Sequence, residues 1–517
     1  MASIFLELLT ERWPVIAVGA LTWLIFTIVQ TLFSGATLSQ IPIVGLEIGD
    51  EEKRRMAYLT SAKKLYTDGY LKFKDGIFRF TTSRTSPVVV APPRFLGELQ
   101  KLPDNVLSIG AAIDETMESK YTKIEAQLAI IPSTIKSALT PALVRLNPVI
   151  AAETKEAVDS ELGRCQNWTE LNINHKLLRI VAKVSGRIFI GPELCHSEDY
   201  LDAAINYTTD VVEAQQAVQM MKPWQRWLRA PFLPQVKKLN QRLVQADAFL
   251  RPVVNARRKA ALQPGYEKPD DMLQWLMDSQ AKFGQKDDKE YAKIQLILSF
   301  AAIHTTTLTA TNAFYNLAAM PEVVAELREE VQAALDENNG TFTSSALQSM
   351  KKLDSFLKET LRFHPFSFAS FQRKVLRQFT LSNGQVIPAG VTIEVPAYPV
   401  SFDPNIFPEC DRFDPLRFYK LRQIARGANS TGTKAAEAAA QNQFVSVNQS
   451  SLTFGYGRHA CPGRFFAANE IKMILSVALL GYDVKCAEGS EGRYTNLEFA
   501  HMSFPDSSKT LLFKSVA

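Results

Sequence analysis

The chain is 517 residues long and 46% hydrophobic, enough for a large core, with no internal repeat and no clear mid-chain linker. Its net charge of +5 is mild and dispersed, which argues against nucleic-acid binding, and five cysteines at scattered positions suggest a reducing compartment rather than a disulfide framework.

Residues 14–33 (PVIAVGALTWLIFTIVQTLF) carry no charge and are long enough to span a bilayer. A cleaved signal peptide fits less well: the run is long, Arg12 is the one base ahead of it, and no small-residue cleavage site follows. An uncleaved single-pass anchor is the expectation. Glu7, Glu11 and Arg12 precede it and Lys53, Arg54 and Arg55 follow, so the C-terminal side should face the cytoplasm. The N-x-S/T sequons at Asn167, Asn206, Asn339, Asn429 and Asn448 then lie on the wrong side for glycosylation. Ile41-Pro42-Ile43-Val44-Gly45 is a short rigid link. The division expected is therefore 1–40, anchor and hinge, and 41–517, one folded domain. Residues 78–90 alternate and end in Val88-Val89-Val90, which reads as strands of a small sheet.

Residues 134–147 (TIKSALTPALVRLN) read as a helix restarted at Pro141, and 171–191 as a buried helix ending at Gly191-Pro192. The stretch from Pro223 to Pro234 mixes Trp224, Trp227 and Phe232 with bases and prolines. It is either a core loop or a substrate-access segment dipping into a membrane surface, an interface that Trp and Arg suit. Residues 291–319 are apolar most of the way round with no Pro or Gly, so that helix belongs in a core. Midway it reads Ala301-Ala302-Ile303-His304-Thr305-Thr306. Polar residues there need partners, and the two threonines can bond back to the carbonyls of Ala301 and Ala302. Residues 353–362 (LDSFLKETLR) are amphipathic, with Glu359 and Arg362 sharing a face. Residues 381–396 are strand-rich, with turns at Asn383-Gly384 and Ala389-Gly390, and 419–451 read as a polar exposed insertion.

Phe454 to Gly463, FGYGRHACPG, places Cys461 between glycines just ahead of a helix start. Helix N–H groups and the positive end of the dipole favour a thiolate there. No CxxC or paired Cys/His spacing accompanies it, which argues against zinc at this loop. Gly457 and Gly463 would let backbone lie flat against a planar ligand, and Phe454 could shield the sulfur. The string resembles the haem-binding signature of the cytochrome P450 family, Phe-x-x-Gly-x-(Arg/His)-x-Cys-x-Gly, filled at every position with His459 as the basic member. The resemblance covers essentially everything after the anchor. AAIHTT and FGYGRHACPGRFFA are closest to the fungal membrane-bound branch, kaurene-oxidase-like enzymes that oxidise terpenoids and other secondary metabolites.

The resemblance implies a mainly α fold with a small β region, haem b between a long central helix and the cysteine loop, and Cys461 as axial thiolate. His459 and Arg373 would face propionates. The family's Trp-x-x-x-Arg pattern near residue 140 is absent, and Lys136 or Arg145 could substitute for its base. Thr305 matches the threonine that orients dioxygen and its protons, with Thr306 beside it. Ala302 replaces a glycine, and His304 replaces an acid, so it either shuttles protons or bonds a neighbouring helix. Glu359 and Arg362 match the ExxR hallmark, a buried pair completed by Arg417 in FDPLRF. Ala301, Ala302, Ile303, Phe366, Phe368 and Phe371 would line a pocket for a bulky apolar substrate. The activity implied is monooxygenation with O2 and NADPH-derived electrons. They would come from a separate NADPH-cytochrome P450 reductase, with cytochrome b5 as a possible second donor, at the endoplasmic reticulum membrane. The alternative is a haem-thiolate isomerase or dehydratase, whose members tend to lose the distal threonine.

Overall fold

The computed structural model describes residues 35–125, 128–284, 289–427, 433–490 and 492–516, with a few positions between 15 and 22. The span expected at 14–33 lies largely outside the described residues. The rest is mainly α-helical with a small β region, as expected.

The β region comes first. Helix α1 (Glu51–Lys72) is capped by Asp50, whose carboxylate accepts from the Lys53 N–H, with Glu51 and Glu52 in the first turn. Strands β1 (Phe78–Phe80) and β2 (Val88–Val90) pair antiparallel, with Phe78 opposite Val90. The sheet is completed by β3 (Leu107–Ser108), β4 (Ala369–Val375) and β5 (Thr392–Pro396), in the order β1-β2-β5-β4-β3. The β2–β5 pair is parallel, and β5 is buried along its whole length. Strand β4 alternates, with Ala369, Phe371, Arg373 and Val375 buried. Its pairing with β5 is irregular between Ser370 and Arg373, where Phe371 takes a left-handed φ of 53°.

The helical body follows. A π turn over Ile135–Leu139 runs into α2 (Thr140–Leu162). Pro141 has no N–H for the carbonyl four residues earlier, so the helix widens there instead of stopping. The helix expected to end at 147 continues through Pro148 to Leu162 and ends at Gly163, φ 68°. Next come α3 (Ile173–Phe189), α4 (Glu198–Gln219), α5 (Pro223–Arg229), α6 (Pro234–Ala260) and α7 (Lys289–Ala318). The core-loop reading of the 223–234 stretch is corrected. It forms a helix on the surface, with Trp224, Trp227, Leu228 and Phe232 exposed.

Helix α7 packs against α3, α4 and α6, which bury most of its surface. Among the described residues it is the one helix long and apolar enough to cross a membrane, and its burial makes it the core helix instead. Helices α8 (Lys351–Phe363), α9 (Arg417–Gly427), α10 (Thr433–Ala440) and α11 (Arg464–Gly481) complete the body. The stretch 419–451 is not wholly an exposed insertion. Arg422 is buried and bonds the Asp354 carboxylate and the Asn442 carbonyl, and Phe444 is 1% exposed. A buried cation and a buried ring tie both ends of the stretch to α8.

Candidate active site

The cysteine loop is set by backbone bonds. The Cys461 N–H donates to the Phe454 carbonyl (2.7 Å), closing the loop through Gly455 and Gly457, both at left-handed φ. A Cβ on Gly457 would sit 2.6 Å from Gln100 Oε1, the movable end of a side chain, so it is the left-handed φ of 68° that asks for glycine there. Gly463 caps α11, and the N–H groups of Gly463 and Arg464 bond the Cys461 sulfur. Phe454 packs edge-to-face on Phe444, ring centroids 5.6 Å apart. The sulfur differs from the sequence expectation in one respect. Burial raises the thiol's pKa, and the two N–H bonds and Arg464 only partly oppose it. The helix terminus alone does not make a thiolate; a coordinated cation would.

Beside the loop, Arg373 and His459 line one small pocket with Phe371, Tyr456 and Arg458. Arg373 is 5% exposed and lies over the Phe371 ring, 4.2 Å from its centroid, and donates to the Gln372 carbonyl. Among the described residues no carboxylate lies within ion-pair distance of it. Burial, reinforced by the nearby Arg458, lowers its pKa to about 10. A buried guanidinium without an anion is a costly arrangement unless a ligand supplies one. His459 Nε2 lies 3.1 Å from Asp104 and accepts from Arg458 Nε at 3.0 Å. Burial lowers its pKa, with Arg373 and Arg458 adding and Asp104 opposing. Lys136, on the π turn, reaches the Arg458 carbonyl at 3.5 Å. Arg145 points elsewhere, paired with Asp270 on the surface at 2.5 Å, so of the two bases Lys136 is the one at the loop.

These groups fit a haem. The donor set offers one thiol with two N–H partners, a buried cation lacking a carboxylate, and a glycine, Gly463, on which a Cβ would meet no heavy atom within 4 Å.

On α7, Ala301 and Thr305 are exposed and Ala302 and His304 partly so, in the middle of a core helix. Residues four apart share a face, so this is one accessible stripe. Thr305 Oγ1 donates to the Ala301 carbonyl at 2.8 Å and lies 3.3 Å from that of Ala302, the back-bonding expected of it, whereas Thr306 makes no such bond. Thr306 and Ile303 fall on the other side, 3% and 0% exposed, and pack in the core. His304 Nε2 donates to the Ile205 carbonyl of α4 (2.8 Å), and burial lowers its pKa. That bond is the contact that the second of its two readings expects.

Glu359 accepts from Arg362 through both oxygens at 2.7 Å and from Arg417 Nε at 3.2 Å, all three side chains buried. The arginines spend their remaining N–H groups on the carbonyls of Ser401, Pro408, Glu409, Cys410 and Arg412. The triad therefore clamps the segment leading towards the cysteine loop.

Three placements correct the pocket expected from sequence. Ile303 is core. Phe368 is 1% exposed, stacked edge-on against Tyr398 in the cluster between α1 and the sheet, and Phe371 lies in the sheet's own cluster. Phe366, 36% exposed, is the accessible member of the three. Periodicity could not separate these phenylalanines, because Phe366 and Phe368 precede β4 and Phe371 sits at its irregularity. The sequence reading also missed Arg458. It donates to the Gln100 and Leu102 carbonyls and to Asp104, fastening the cysteine loop to the segment before β3. A second base next to His459 was the available signal; nothing local marked Asp104.

The family model for Cytochrome P450 matches residues 131–512. The chain is 42% identical over 428 residues to the cytochrome P450 monooxygenase ATR3 of Stachybotrys chlorohalonatus, covering 83% of this chain and 88% of that one. It is 34% identical over 497 residues to the cytochrome P450 monooxygenase braC of Annulohypoxylon truncatum, covering 94% and 96%. It is 34% identical over 494 residues to the cytochrome P450 monooxygenase AN1598 of Emericella nidulans, covering 94% and 90%.

Proposed function

The chain belongs to the cytochrome P450 family and is a monooxygenase, and from that premise we propose that it oxidises a bulky apolar substrate. The class we assign is a terpenoid, meroterpenoid or polyketide intermediate of a fungal secondary-metabolite pathway, hydroxylated in one or more rounds. The observation that carries this reading is the accessible stripe Ala301–Thr305 on an otherwise buried apolar helix. Small alanines leave room there, and the single hydroxyl at the stripe already has a carbonyl partner.

Haem b held by a cysteine thiolate supplies, when bound, reductive activation of dioxygen and insertion of one oxygen atom into an unactivated C–H bond. The chain's own residues do the rest. Cys461 holds the iron, and the Gly463 and Arg464 N–H groups temper the charge on its sulfur. Arg373, His459 and Lys136 carry the propionate charge, with Gly457 allowing close backbone approach. Phe454, backed by Phe444, keeps water from the sulfur. Thr305 holds a proton at Oγ1 that can turn from the Ala301 carbonyl towards the substrate side. His304 fixes the helix to α4 through Ile205 and keeps that hydroxyl in register. Glu359, Arg362 and Arg417 hold the proximal segment.

Residues 1–40 serve as anchor and hinge in the endoplasmic reticulum membrane, with 41–517 as the cytoplasmic catalytic domain. The exposed Trp224, Trp227, Leu228 and Phe232 of the α5 region support contact with the same membrane. Electrons come from a separate NADPH-cytochrome P450 reductase, with cytochrome b5 as an optional donor. The test is the full chain in membranes with that reductase, NADPH, isotopically heavy dioxygen and a panel of the named substrate classes. One heavy oxygen per oxidation, dependent on NADPH, is expected. Rearranged or dehydrated product formed without NADPH would overturn the reading in favour of an isomerase or dehydratase.

A further inference from the structure

Away from the haem loop, Glu153, Cys195 and His196 bring a carboxylate oxygen, a thiol sulfur and an imidazole nitrogen within 4.8 Å of one another, the one such trio among the described residues. Glu153 lies on α2; Cys195 and His196 are neighbours in the turn between α3 and α4. Glu153 is 7% exposed and Cys195 1%, whereas the His196 side chain is 43% exposed and leaves a path from solvent.

The second observation concerns how Glu153 is satisfied. His196 Nε2 lies 2.8 Å from Glu153 Oε1, an ion pair when the imidazole is protonated, and that buried oxygen has no other partner. With the imidazole neutral, its ring nitrogen and the carboxylate oxygen are two adjacent donor atoms. The other charges felt at Glu153 are those of Glu156 on its own helix and Arg187 on α3, and neither makes an ion pair with it. The turn itself is held firmly. Gly191 sits at φ 96°, where a Cβ would meet Arg257, Glu193 and Asp271 at 2.4–2.7 Å. Arg257 joins Asp271 at 2.7 Å and Glu193 at 3.0 Å. The Cys195 N–H then bonds back to the Gly191 carbonyl at 3.2 Å. A rigid turn presenting two adjacent ligands to a third on a helix is the pre-organisation that a metal site needs.

We propose that Glu153, Cys195 and His196 form a divalent transition-metal site, with zinc the fitting ion and water as its fourth ligand. Sulfur, nitrogen and carboxylate together suit zinc, whereas magnesium and calcium take oxygen donors alone. Charges balance: the Cys195 thiol gives its proton to solvent on binding, and thiolate plus carboxylate cancel the charge of the ion. The buried carboxylate exchanges its imidazole partner for a place in a neutral, fully coordinated assembly. The ion fastens the α3–α4 turn to α2, and so reaches α4, whose Ile205 carbonyl holds His304.

The experiment uses the full-length, haem-loaded protein, stripped with a chelator and equilibrated with zinc chloride. Retained zinc is measured by mass spectrometry and its ligands by X-ray absorption at the zinc edge. The wild type should keep one equivalent more than His196→Ala, with one sulfur among the ligands. Cys195→Ser should lose that sulfur and bind more than about 100-fold more weakly, since a lost ligand costs more than a lost outer-shell partner, and Cys486→Ser should behave as wild type. His196 is exposed, so its replacement leaves folding intact, which haem content checks. Equal zinc in wild type and His196→Ala, or a ligand shell without sulfur, would overturn the proposal. So would zinc lost with Cys486→Ser.

Discussion

Two helices of this protein bury polar side chains in apolar surroundings and satisfy them in opposite ways. On α8, Glu359 and Arg362 reach across to Arg417 and to the carbonyls of a distant segment, and every group is sealed from solvent. On α7, Thr305 bonds within its own helix, and His304 makes one neutral bond to the next, leaving the stripe between them accessible. The first arrangement fixes a fold, because removing any partner strands a charge. The second leaves a hydroxyl free to exchange partners, because the alternative bond is local and nearly equal in energy. Polar groups held by remote charges build the scaffold; those held by their own helix remain available for chemistry.

Glu359→Ala would break the scaffold side outright. With two buried arginines left uncompensated, a loss of about 3–5 kcal/mol is expected, and the reduced carbon monoxide spectrum should show almost no haem-loaded protein. Soluble, fully loaded Glu359→Ala would dissolve the contrast between the two helices.

Glu470 on α11 offers an intermediate case, a fully buried carboxyl with one partner, the Ser185 hydroxyl at 2.7 Å. Burial pushes its pKa from 4.5 up to about 8, against that hydrogen bond. The folded state therefore keeps a proton that the unfolded chain releases between those values, so this group makes stability fall as pH rises across that window. Glu470→Gln keeps the shape and removes the titration. Its melting temperature should change less between pH 5 and pH 8 than the wild type's, and an unaltered pH dependence would show that the carboxyl is ionised when folded.

Thr305→Ala should leave haem content and stability within about 0.5 kcal/mol of wild type, as expected for an accessible side chain bonded only to its own helix. NADPH consumption should continue while peroxide release rises and product falls. A large loss of stability instead would move Thr305 to the scaffold side.

The smallest effect is expected for His304→Gln, whose amide can still donate to the Ile205 carbonyl. Turnover and its pH profile should match wild type, whereas His304→Ala should lower turnover. An altered pH profile in the Gln variant would restore a proton-shuttling role for the ring.

The sequence by itself determined the family, the mainly α fold, the span of the core helix and the identities of Cys461, Thr305, Glu359, Arg362 and Arg417. The helix rests on an apolar run with no Pro or Gly, and the rest on resemblance to the family's motifs: a ten-residue cysteine loop, an ExxR pair on one helix face, the threonine of AAIHTT and the arginine of FDPLRF. Only the tertiary structure decided which base stands at the cysteine loop, Lys136 and not Arg145, and that Arg458 and Asp104 fasten it. It also turned Ile303, Phe368 and Phe371 away from the expected pocket and gave His304 its partner on α4. The physical reason is common to all of these. Periodicity fixes which residues share a face, but the partner of a face belongs to another element far away in the chain. A strand irregularity such as the one at Phe371 or a π turn beside Pro141 then shifts the register by an amount that no local pattern records.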